Sequence, residues 1–136
     1  MIRCYVTDEP DHAELQGQIL DGEVPVVTSE LALVELSAAV HAAHRAGRVA
    51  RPSDILNGIE RDCGWGRPVA LLRLQPDVVL PLARDLVSAH PLRSLDALHL
   101  AVARSPAAEL AAGEPIVLVT RHHQAAAAAA LGMAVE

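Results

Sequence analysis

Short β-rich runs alternate with longer stretches of helical spacing along this chain, and that alternation limits its fold more than any single residue does. Val24–Val27, Val69–Leu74 and Ile116–Val119 read as strands. Between them lie helical patterns. The longest, LALVELSAAVHAAHRA, is expected to start from a Thr28 or Ser29 cap and to stop at Gly47. Others are expected over Pro10–Leu20, from Pro52 to about Cys63, from Pro76 to His90-Pro91, through PLRSLDALHLAVAR, and over Gln124–Leu131 before Gly132. Pro25 suits a strand start or an edge, and Pro81 must lie in the first turn of its helix or begin it. A polar turn is expected near Ser105-Pro106, then a short helical AAELAAG, and Met133–Val135 is expected as a last edge strand. Strands alternating with helices imply an α/β fold with a central parallel sheet flanked by helices on both faces.

The core has to be built from small residues. The chain is 51% hydrophobic, yet it has no Phe, one Trp and one Tyr among its 136 residues. Layers of Ala, Leu and Val suit helices packed on a sheet, and the length suits one domain, 1–136, without a linker. No apolar run approaches the roughly 20 residues of a membrane span, and Arg3, Asp8 and Glu9 stand where a signal-peptide core would lie. A cytoplasmic protein with no membrane partner is therefore expected. Cys4 and Cys63 are far apart, with no CxxC or CxxH, and read as reduced thiols.

The formal net charge of −6 argues against generic affinity for nucleic acid, which depends on cations neutralising phosphates. All the basic residues apart from His are Arg. One local cluster, Arg45, Arg48 and Arg51, with Arg61 and Arg67 further on, reads as a solvated helix end favoured by the dipole, or as a local phosphate contact. Trp65, between two glycines, reads first as a cover over the edge of a small-residue core, and otherwise as a stacking platform for a base.

Two carboxylates stand where apolar residues would be the default. Asp96 falls in the first turn of a helix capped by Ser94, on the side that carries His99, Leu100 and Ala103. Dipole compensation alone would account for an acid there. Glu35 belongs to a stripe of Leu31, Val34, Ala38, Ala39 and Ala42 that is expected to be buried, and a buried Glu needs a partner or a metal. Ligands of parallel α/β sheets gather beyond the carboxyl ends of the strands, an edge marked here by Thr28-Ser29 and by Thr120-Arg121-His122. Two carboxylates meeting there would suit a hard divalent cation. His41 and His44 read as surface residues, because no third ligand lies at zinc spacing.

The segments VVTSELALVELSAAVHAA and PLRSLDALHLAVA, with the later LVT and AAAAAALGM, resemble the PIN domain, in particular the VapC-type toxins of bacterial toxin–antitoxin pairs. RCYVTDEPDHAEL is similar to the segment after that family's first strand. LRSLDALHLA is the most specific part, and the likeness covers nearly the whole chain. It implies a PIN-like three-layer α/β domain, a cluster of acids coordinating Mg²⁺ or Mn²⁺, and endoribonuclease cleavage of RNA. It also implies a cognate antitoxin protein lying across the active-site groove, and a homodimer. Carried over by position, Glu35 matches the family's second acid and Asp96 its third, as catalytic metal ligands. The family's first acid ends a first strand in a segment like DTSAL, and this chain starts at about the residue after it. The fourth acid follows the LVT strand, where this chain has Arg121-His122-His123. His122 reads either as surface or as a hydrogen-bond partner of a metal-bound water.

Two function classes are consistent with these features. The first is a metal-dependent endoribonuclease toxin of a type II toxin–antitoxin system, with Glu35 and Asp96 holding the metal that activates water. The second is a truncated or catalytically decayed PIN module that only binds its antitoxin. A small-molecule-binding α/β domain is disfavoured, since neither GxGxxG nor a Walker A loop occurs.

Overall fold

The computed structural model describes residues 1–22, 24–118 and 122–135, the side chains of His122 and His123 excepted. Its elements follow the expected alternation. A single 3₁₀ turn, Ile2–Cys4, precedes α1, His12–Ile19; then come β1, Val26–Ser29, α2, Leu31–Arg45, and α3, Pro52–Asp62. β2, Val69–Leu72, is followed by α4, Pro76–Ala89, and α5, Ser94–Val102. A π-helical segment, Ala103–Ala107, joins α5 to α6, Ala108–Ala111; β3, Val117–Leu118, α7, His122–Ala130, and β4, Ala134–Val135, complete the chain. The architecture is mixed α/β. Instead of one central sheet, the described residues form two parallel two-stranded sheets, β1 with β2 and β3 with β4. In the second, Val117 pairs with Ala134 and Leu118 with Val135.

The described chain divides into two compact units, Met1–Leu71 and Leu72–Glu136. The first is built on Leu36 and Val40 of α2, Ile59 of α3, Cys63 and Val69, with Ile2, Tyr5, Ile55 and Leu71 packed against them. Val6, Ala43 and Val49 form a smaller cluster beside it. α1 buries none of its residues. In the second unit Val79, Ala83 and Leu86 of α4 pack on Ala97, Leu100 and Ala101 of α5, and Ala127 and Ala128 of α7 close the cluster. No aromatic ring takes part in that core, and burying a side chain such as Leu100 contributes about 2 kcal/mol.

Several expected boundaries move, each for a local reason. β1 begins after Pro25, whose missing N–H cannot join a ladder, and runs on through Thr28 and Ser29. Neither residue is therefore the cap of α2: Glu30 holds that position and Ser29 is buried at the strand end. Arg93, not Ser94, is the N-cap of α5. Pro81 is in the second turn of α4, because Pro76 already starts that helix at its first position. The expected turn at Ser105-Pro106 does not form. Pro106 has no N–H for the Val102 carbonyl, and the helix widens into the π-helical segment instead of breaking. It ends at Ala112, which takes a left-handed φ of 50°, followed by Gly113 at φ 96°. Gly47, at φ 75°, ends α2 as expected.

The largest correction concerns α2. Its inner face is Ala32, Leu36, Val40 and Ala43, one position round from the stripe expected from sequence. Val34 is 70% exposed, and Ala38 and Ala42 are exposed with it. Ala, Leu and Val occur on every side of this helix, so periodicity alone offers two faces of similar apolar content.

Among the described residues, no helix is long and apolar enough to cross a membrane.

Candidate functional site

Asp96 stands in the first turn of α5, half-buried, between the exposed Leu95 and the buried Ala97. Its neighbours one turn on, His99 and Leu100, are half-buried and buried, so the expectation of a carboxylate at the core edge holds. The side-chain amide of Gln124 in α7 donates to the Asp96 main-chain carbonyl at 3.4 Å. The first turn of α7 therefore lies against the main chain of the first turn of α5. Both helix N-termini carry partial positive charge, which favours an anion at that point. Among the described residues no Arg or His makes an ion pair with the Asp96 carboxylate.

Glu35 lies in the second turn of α2, in the first unit, and is half-buried. Because the buried face of α2 is turned by one position, Glu35 flanks the core stripe beside Leu36 and is not a member of it. The two carry-over acids thus belong to different units, one on α2 and one on α5.

Carboxylate oxygens are the right donors for Mg²⁺ or Mn²⁺, but donor number matters as well as type. Among the described residues no group of three or more His, Cys, Asp or Glu side chains gathers as a metal site. Thr120, Arg121 and the side chains of His122 and His123, expected at the strand-end edge, lie outside the described residues.

The Arg cluster resolves into internal ion pairs. Arg48 donates to both oxygens of Asp8, each at 2.9 Å, and also to Glu9. Arg3 reaches Glu9 at 3.4 Å and Asp11 at 2.8 Å, so the turn before α1 is laced to the end of α2. Hydrogen bonds from Arg48 hold the Asp8 and Glu9 carboxyls below their ordinary values, and the same contacts raise Arg48. Arg51 pairs with Asp54 at 2.9 Å. A cavity of about 270 Å³ opens here, lined by Tyr5, Thr7, Arg48, Arg51 and Asp54 among others. Both of its guanidinium groups are already held by carboxylates. Arg45 remains exposed beyond them.

His44, exposed as expected, donates from Nδ1 to the Val49 carbonyl at 2.7 Å and closes the turn after α2; His41 is exposed. Cys4 and Cys63 are free and buried, and burial raises both thiols. The Tyr5 ring lies across Gly58, where an added Cβ would meet it at 3.8 Å. Its hydroxyl is buried without a well-formed hydrogen bond, facing Asp62 and Cys63, and burial foremost pushes the phenol far up.

Trp65 reverses the first reading of its role. It is 87% exposed and covers no core. The signal available in the sequence was the pair of flanking glycines: Gly64 and Gly66 take φ of 146° and 69°, which presents the intervening ring at a turn.

No protein-family model matches this chain, and neither the curated proteins nor the solved structures give a match to it.

Proposed function

We propose that this chain is a metal-dependent endoribonuclease of the VapC type, a PIN-like three-layer domain with a central parallel sheet, checked by a cognate antitoxin and acting as a homodimer. One observation carries the reading. Asp96 is a half-buried carboxylate in the first turn of α5, where the main chain meets Gln124 of α7, with no cation paired to it among the described residues, inside the segment LRSLDALHLA that most resembles the family. A carboxylate kept at a core edge without a counter-charge is costly unless something is bound to it. Glu35, half-buried on α2, is the second donor in this reading. Mg²⁺ or Mn²⁺, when bound, would polarise a phosphate and lower the pKa of a water. Asp96 and Glu35 would offer hard oxygens to the cation, each from a helix anchored in the core of its own unit.

The alternative, a module that binds its antitoxin without cleaving, is favoured by a different observation: no set of three metal donors gathers among the described residues. Calorimetric titration of Mn²⁺, with cleavage of a labelled RNA measured alongside, separates the two. The chain as given and a form extended upstream by an Asp-Thr-Ser strand are compared, each with Glu35→Ala and Asp96→Ala. The nuclease reading expects metal heat and cleavage in at least one form. Each substitution should lower cleavage by about 100-fold or more while leaving the far-UV spectrum unchanged. Absence of heat and cleavage in both forms would leave the binding module.

A further inference from the structure

Between α3 and β2 the chain makes a closed loop that nothing in the carboxylate site uses. The Gly64 N–H donates to the Val69 carbonyl at 2.9 Å, the Arg67 N–H donates to the Gly64 carbonyl at 3.3 Å, and Cys63 bridges to Val69. Cys63 and Val69 are buried, so the base of the loop is anchored in the core of the first unit. Its tip is the reverse. Trp65 is 87% exposed, and Gly66, Arg67 and Pro68 are exposed beside it.

A large aromatic ring in water is costly to keep, and here the backbone presents it. Both flanking glycines hold positive φ, a region that other residues adopt only with strain, so the turn would not form in this shape with ordinary neighbours. The charge within the loop itself is of one sign. The loop, CGWGRP, contains an Arg and no carboxylate. The Arg67 stem folds back over Gly64, where its Cγ would be 3.5 Å from an added Cβ, which puts the guanidinium stem beside the residue that precedes Trp65. Arg67 has no ion pair among the described residues, unlike Arg3, Arg48 and Arg51. Of the acids nearest in sequence, Asp62 faces the buried Tyr5 hydroxyl and Glu60 is exposed on α3.

We infer that the Cys63–Val69 loop is a contact for single-stranded RNA, in which Trp65 stacks on an unpaired base and Arg67 meets an adjoining phosphate. Stacking needs a bare ring face, and every base offers a π-face, so the contact tolerates sequence. The Arg67 guanidinium, two residues from Trp65 and without an ion pair among the described residues, supplies the charge that a base-stacking residue needs to hold a strand in place. This inference names a substrate contact for the nuclease reading and rests on it. The loop is remote in sequence from both Glu35 and Asp96, so its test needs no cleavage.

Trp65 is the sole Trp of the chain, so its fluorescence reports on this loop alone. A single-stranded ribo-oligonucleotide of mixed sequence is titrated into the full chain in EDTA, and the same RNA carrying a dye is followed by anisotropy. Quenching of Trp65 that saturates together with the anisotropy is expected. Trp65→Ala should weaken binding by about 5- to 100-fold, and Trp65→Phe should recover part of that. Arg67→Ala should flatten the dependence of affinity on salt. RNA binding that leaves Trp65 fluorescence unchanged, or that Trp65→Ala does not weaken, would overturn the inference while the nuclease reading stands. Quenching by RNA in a chain that never cleaves would uphold the contact and defeat the nuclease. Absence of RNA binding, or a blue shift that depends on protein concentration and not on RNA, would overturn it in favour of a contact between protein chains.

Discussion

Arg48 ties the turn before α1 to the end of α2 through Asp8 and Glu9, and that contact has a definite pH signature. The two carboxyls have ordinary values of 3.8 and 4.5 and are held below them in the folded protein. Their contribution is therefore complete above that range, and it is lost as pH falls through the ordinary values toward the lowered ones. Arg48 stays protonated throughout. Arg48→Ala should thus flatten the fall of Tm between about pH 5 and pH 3, and added salt should shrink the difference because the pairs are exposed. Thermal melts of both proteins across that range check this. At this scale the half-burial of Asp96 was legible, since spacing alone places it with His99 and Leu100. The engagement of Arg48 was not, because Asp8 lies forty residues away and no local pattern links them. Nor was the exposure of Trp65, where composition suggested a core cover and the flanking glycines decided otherwise.

At the scale of elements, the helices and strands were read largely in the right order, while faces and ends were harder. α2 is the clearest instance. Its length and its stop at Gly47 follow from the sequence, but its inner face does not, because Val34, Ala38 and Ala42 repeat as regularly as Ala32, Leu36 and Val40. Chemical denaturation distinguishes the two faces. Val34→Ser should change stability by no more than about 0.5 kcal/mol, while Leu36→Ala should cost about 2–5 kcal/mol. The reverse order would restore the face expected from periodicity. The π-helical segment was equally hidden. Ser-Pro ordinarily signals a turn, and the helix continues only because a wider turn needs no N–H from Pro106.

For the whole molecule, the alternation of strands and helices pointed to a mixed α/β architecture, and the structure agrees to that extent. A single sheet was expected, whereas pairing among the described residues stops at two strands in each sheet. Strand runs can be read locally; which run pairs with which is fixed by contacts between distant residues. The separation of Glu35 and Asp96 into different units was invisible for the same reason. Both thiols belong to the first unit, buried at 1% and 8% exposure, and burial raises their pKa values. Native labelling by a disulfide reagent should therefore run at least about 10³-fold slower than in denaturant, at a rate set by opening of the protein. Prompt reaction of either thiol would contradict the packing of Met1–Leu71.

The alanines behind Asp96 have a mechanical meaning. Ala97 and Ala101 are 1% and 0% exposed, so at these two places the inner side of α5 offers only a methyl group and main chain, with the buried Leu100 side chain between them. A methyl group has no rotamer to change. Strain arriving at that face is not absorbed by side chains turning aside, as it would be with Leu or Met in those places. At these two positions α5 has no side chain that could turn aside, and Asp96 stands one residue before the first of them.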